Sequence, residues 1–171
     1  WRMKILAVSD IELGFIYNPQ IAQRFKDVDL AISCGDLPYY YLEFIISMLD
    51  IPLYHVRGNH ASKVESGTSG DRAEPWGAID LHRRAVRDET GLLLAGIEGS
   101  LRYNDGPNQY TQGEMWLMSS WVPRSRVPTD GGLRITAAVG DDGATGVSTA
   151  AARGAPTDGR RKRAASSWRR A

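Results

Sequence analysis

The fold class this sequence predicts is α/β, with neighbouring parallel strands, and three observations lead there. Apolar runs of strand length alternate with helical stretches through the first third of the chain. Three of those runs end in turns rich in Gly, Asp and Asn. The intervening segments carry helix start signals or apolar residues at helical spacing.

The elements follow in order. Residues 3–9, Met-Lys-Ile-Leu-Ala-Val-Ser, form a short apolar run suited to a buried strand. Asn18-Pro19 offers a cap and a proline at a first helical position, so a short helix is expected through Arg24. A second buried strand is expected over 30–34, closed by Gly35-Asp36-Leu37-Pro38. Over 40–49, Leu42, Ile45, Ile46 and Leu49 fall on one side of a helix. A third strand over 52–56 ends in Arg57-Gly58-Asn59-His60, and residues 62–76 read as a polar, glycine-containing loop. A later strand is expected over 92–97. Thr111 and Glu114 have the spacing of a capping box opening a further helix.

Composition divides the chain at about residue 118. Residues 1–118 carry 11 Lys/Arg against 16 Asp/Glu, a balance of −5, whereas 119–171 carry 10 against 4, a balance of +6. Of the 53 residues in 119–171, 40 are Ala, Arg, Gly, Pro, Ser or Thr, too poor in large apolar side chains to build a core layer. Three readings fit this tail: a disordered extension, a basic nucleic-acid-binding arm through Arg160-Arg161-Lys162-Arg163, or wrong-frame translation of a GC-rich gene. Cys34, the one cysteine, excludes an internal disulfide and sits in an apolar run as an inert thiol. No stretch is apolar enough to span a bilayer, so no membrane partner is expected. Met3-Lys4-Ile5 runs into a strand pattern without a secretory signal, so a cytoplasmic location is expected.

The chemistry is positional. Ser9-Asp10-Ile11-Glu12 follows the first strand, Gly35-Asp36 the second and Gly58-Asn59-His60 the third. In open α/β sheets ligands bind beyond the carboxyl ends of the strands, so the three turns should converge. Asp10, Glu12 and Asp36 offer hard anionic oxygens, Asn59 a neutral carbonyl oxygen and His60 an imidazole. That donor set suits Mn²⁺, Fe²⁺, Zn²⁺ or similar ions, and two such ions can clamp a phosphate. Arg102, with Tyr103 and Asn104, lies just past the later strand on the expected substrate side. His55 is expected to be structural and His82 to lie on the surface.

Asp10, Gly35-Asp36 and Gly58-Asn59-His60, in this order and each after a strand, resemble the first three signature blocks of the calcineurin-like metallophosphoesterases over residues 3–118. The resemblance implies a four-layer α/β/β/α sandwich, incomplete here at its C-terminal half, and a dinuclear centre of two divalent metal ions. It implies that Asp10 binds one metal, Asp36 bridges both and Asn59 binds the second. His60 would lie near the phosphate and protonate the leaving group or stabilise the transition state. The implied reaction is hydrolysis of a phosphate mono- or diester by metal-bound hydroxide. Two departures stand out. Glu12 occupies a place where the family has histidine, and no histidine follows His82 although the family draws further ones from its C-terminal half. A non-catalytic phosphate- or nucleic-acid-binding remnant is the alternative.

Overall fold

The protein is described here by a computed structural model covering residues 3–60, 64–67, 70–121, 134–136 and 148–152. In chain order the elements are β1 (Met3–Val8), α1 (Ile21–Arg24), β2 (Leu30–Ser33), α2 (Tyr39–Leu49), β3 (Leu53–His55), β4 (Glu65–Gly67), β5 (Gly70–Arg72), β6 (Ala78–Asp80), β7 (Arg84–Arg87), β8 (Leu93–Gly96), β9 (Ser100–Leu101), β10 (Gln109–Tyr110), α3 (Gln112–Trp121), β11 (Arg134–Thr136) and β12 (Ser148–Ala152).

The fold is α/β. Strands β1, β2, β3 and β6 lie side by side in that order, all parallel, and β12 joins the outer edge of β1 antiparallel. A second sheet has the order β11-β8-β7, with β8 parallel to β11 and antiparallel to β7. Thus β11 and β12, drawn from 119–171, pair with the two sheets, and α3 runs to Trp121, past the composition boundary. The rest of 119–171, with the basic run 160–163, lies outside the described residues.

Side-chain alternation along the parallel strands sends neighbours to opposite faces, and two cores result. Leu6, Val8, Ala31 and Leu53 pack with Ile21 of α1 and with Tyr41, Leu42 and Ile45 of α2. Ile5, Leu30, Ile32 and Tyr54 pack on the other face with Leu92 and Leu94, the latter on β8. The central sheet is therefore covered by helices on one side and by the second sheet on the other. Burial on both faces is why its strands read as unbroken apolar runs. Across the second core the Tyr54 hydroxyl donates to Asp88 at 2.6 Å.

Helix α2 starts after Pro38, which caps it with no side-chain bond. The carboxylate of Glu65 does so instead, accepting from the Tyr39 amide at 2.9 Å. Glu65 belongs to the β4–β5 hairpin, which occupies part of the stretch expected as loop. The hairpin docks through Arg72, which pairs with Glu43 of α2 and lies over the Trp76 ring at 5.2 Å. Its residues lack the alternating apolar pattern of a strand pair because these contacts with α2, and not a buried face, hold it in place. At the start of α3 the expected capping box is present: the Thr111 amide donates to Glu114 at 2.7 Å and the Glu114 amide to the Thr111 hydroxyl at 3.3 Å. Among the described residues no helix is long and apolar enough to cross a membrane.

His55 on β3 is 2% exposed, and its Nε2 has no hydrogen-bond partner among the described residues. Burial, helped by the Arg57 charge and opposed by Asp80, holds its pKa below the usual 6.5. The unfolded chain therefore takes up a proton at His55 before the folded one does. Stability is expected to be retained above pH 6.5 and to fall as the pH drops from there through the lower folded-state value. Urea midpoints measured on both sides of that pH should show the loss, and His55→Gln should flatten it.

Candidate metal and phosphate site

Because β1, β2 and β3 are parallel, their carboxyl ends share one edge, and the turns beyond them interlock there. The Cys34 amide donates to Val8 at 2.9 Å and the Asp10 amide to Gly35 at 3.2 Å. The His60 amide donates to Asp36 Oδ1 at 2.8 Å, joining the second turn to the third. Backbone meets backbone at this junction: a Cβ built on Gly35 would lie 2.7 Å from Gly58 Cα, and one on Gly58 would lie 2.1 Å from Asp36 Oδ1. Only glycine fits at either place. Asp10 and Asp36 both take the left-handed conformation, with φ of 61° and 54°. Aspartate tolerates that region better than most residues do.

The flanking groups define the local electrostatics. Burial, with a smaller push from the Asp10 carboxylate, raises the pKa of the Cys34 thiol, so it stays protonated and un-nucleophilic. Glu12 accepts a short hydrogen bond from the exposed Tyr40 hydroxyl, which that bond pushes up to about 12. Asn59 is buried, and its amide nitrogen donates to the Tyr103 hydroxyl at 2.8 Å. The same hydroxyl lies 3.1 Å from His60 Nε2.

A later segment closes over the third turn. The Gly99 amide donates to the Arg57 carbonyl at 2.8 Å, and Asn108 Nδ2 donates to the Gly58 carbonyl at 3.1 Å. Tyr103 and Asn108 both stand on the connection between β9 and β10, which run parallel. Arg102 is turned elsewhere. It is half-exposed, lies 3.8 Å from Glu114 and donates to the Gln109 carbonyl at 3.4 Å. Asn104 serves the turn itself, accepting from Gly106 and Gln109.

His82 departs from its expected surface position. It is partly buried, its Nδ1 accepts from the Glu98 amide at 3.1 Å, and its Nε2 lies 3.6 Å from the Glu98 carboxylate. Tyr110 donates to that carboxylate at 2.9 Å, and burial together with this bond pushes its hydroxyl up to about 12. A strand end explains the difference: His82 follows β6 and bridges to Gly96, the last residue of β8. Gly96 brings the two sheets together, since a Cβ there would lie 2.5 Å from Val56.

The junction thus gathers Asp10, Asp36 and Asn59-His60 as turn residues, with Glu12 held by Tyr40 and Arg102 facing α3. Among the described residues no three His, Cys, Asp or Glu side chains cluster as a metal-holding group. Asp10, Asp36 and Asn59 carry oxygen donors of the kind a hard divalent ion takes. Asn108 went unnoticed in the sequence. Its signal was Gly106-Pro107-Asn108, where asparagine takes φ of 50° in the turn. No protein-family model, no curated protein and no solved structure matches this chain.

Proposed function

We propose that the junction of the three turns is the N-terminal part of a calcineurin-like, metal-dependent phosphoesterase site within an α/β/β/α sandwich, acting on a phosphate mono- or diester. The observation that carries this reading is the interlock itself: strand-end turns bearing Asp10, Asp36 and Asn59-His60 are tied to one another by the Asp10–Gly35 and His60–Asp36 hydrogen bonds. Asp10, Asp36 and the Asn59 carbonyl would hold the cation. When bound, it supplies charge neutralisation at the phosphate and Lewis-acid activation of water. The chain's own contribution is orientation. Asp36 fixes the His60 backbone, and His60 would lie near the phosphate and protonate the leaving group or stabilise the transition state. A second cation would need donors beyond Asp10, Asp36 and Asn59, so turnover by this chain is expected to be low.

Melting the protein with and without Mn²⁺ tests the reading. A cation at 100 times its Kd stabilises the native state by about 2.7 kcal/mol, so the melting temperature should rise with Mn²⁺. Asp36→Asn should abolish that rise while keeping the fold, because asparagine accepts the same His60 amide and tolerates the same φ. No rise at millimolar Mn²⁺ would sink the proposal. The binding-remnant alternative is favoured by the lack of a three-residue ligand cluster among the described residues. It predicts that Asp36→Asn leaves phosphate or nucleic-acid binding intact, with binding falling steeply as salt rises.

A further inference from the structure

The geometry points to Tyr103 as the positioning residue of this site: its hydroxyl sets which way the Asn59 amide faces and which nitrogen of His60 carries the proton. The inference rests on the phosphoesterase reading and assigns a role to a side chain 44 residues beyond Asn59 in sequence. A phenol has one proton to give and lone pairs to accept with. Here the Asn59 amide nitrogen donates to that oxygen at 2.8 Å, and His60 Nε2 lies 3.1 Å from it. With the oxygen accepting from Asn59, the hydroxyl has one proton left to give, and His60 Nε2 lies within reach of it at 3.1 Å. In the proposed relay the amide donates to the phenol and the phenol to the imidazole.

Two consequences follow for the site. Because its nitrogen is committed to Tyr103, Asn59 presents its carbonyl oxygen, the hard donor, as its remaining function. Because Nε2 accepts, neutral His60 carries its proton on Nδ1. Without the hydroxyl, nothing in this contact distinguishes the two ends of the Asn59 amide, and both His60 tautomers become available. Outer partners of this kind typically change metal affinity by roughly 10–100-fold when removed. Tyr103 is half-exposed, so Tyr103→Phe keeps the ring and removes only the hydroxyl.

The test uses the full chain and Mn²⁺ alone as the probe, with a two-by-two cycle of Tyr103→Phe and Asn59→Asp. Tyr103→Phe should weaken Mn²⁺ binding by roughly tenfold in the parent and by less than about twofold in the Asn59→Asp background, because a carboxylate offers oxygen at both ends. Independently of any metal, ¹⁵N resonances of the His60 ring should report the Nδ1-protonated tautomer in the parent and a mixture in Tyr103→Phe. Equal melting temperatures for parent and variant would show that folding is not what changed. An unchanged His60 signature, or a tenfold loss that persists with Asn59→Asp, overturns the assignment. If the parent binds no Mn²⁺ at all, the phosphoesterase reading falls, while the ring resonances still decide the role of Tyr103.

Discussion

Gly58→Ala is expected to lose the Mn²⁺-dependent rise in melting temperature completely and to lower stability by about 3 kcal/mol, the upper end of ordinary overpacking costs. The new methyl would lie 2.1 Å from Asp36 Oδ1 and 2.7 Å from the Asp36 amide nitrogen. Neither can retreat easily. The carboxylate oxygen accepts from His60, and the backbone at Asp36 already takes a left-handed conformation. Relief must come from pulling the second and third turns apart, which separates the groups proposed to share a cation. Gly14 is the matched control. A Cβ there meets nothing within 4 Å, so Gly14→Ala should change stability by no more than about 0.5 kcal/mol. Denaturant midpoints and Mn²⁺ melts on the two variants separate crowding at the junction from a general intolerance of alanine.

Asp88→Ala should cost about 3 kcal/mol, through the loss of two hydrogen bonds to a buried charge. The carboxylate is 4% exposed, accepts from the Tyr54 hydroxyl at 2.6 Å and accepts from the Thr90 amide at 2.8 Å. It therefore ties the central sheet to the turn between β7 and β8, and its removal strands a phenol inside the second core. The same pair sets an alkaline limit. Burial first, then the Asp88 bond, raises the Tyr54 pKa well above the ordinary 10. A raised folded-state value gives stability that is complete below pH 10 and lost as the pH climbs toward the folded-state value. Tyr110, raised to about 12, acts with the same sign. Urea midpoints measured from neutral to about pH 11 should fall, and Tyr54→Phe should shrink that fall while starting from a lower midpoint.

Much of the parallel sheet was legible because its strands are covered on both faces. Ile5 and Leu6, or Leu53 and Tyr54, serve different cores, so both positions must be apolar, and the run stands out in the sequence. Helix α1 was legible only at its C-terminal end. Asn18 accepts from the Gln20 amide at 2.9 Å and forms a turn, and the helix starts at Ile21. The β4–β5 hairpin was illegible because its stability comes from Glu65 and Arg72 reaching α2, and such long-range pairs leave no periodic trace. The same holds at the site. Asp10, Asp36, Asn59 and His60 announce themselves as polar residues directly after apolar runs. Tyr103 falls on the expected substrate side, yet its contacts with Asn59 and His60 leave no trace in the sequence, and Asn108 reaches the third turn from a loop whose own sequence reads as an ordinary turn. The direction of Arg102 could not be read either, since its partner Glu114 is fixed by the capping box of α3.

The left-handed backbone at Asp10 and Asp36 narrows the routes by which descendants of this sequence could drift. Glutamate would preserve charge but carries a longer side chain into a conformation it disfavours, whereas asparagine or glycine would suit the conformation and discard the charge. Loss of chemistry is therefore cheaper here than its modification. A lineage giving up the proposed cation site could keep a sound scaffold by single steps to Asn or Gly, and one retaining it would have aspartate as almost its sole option at both places.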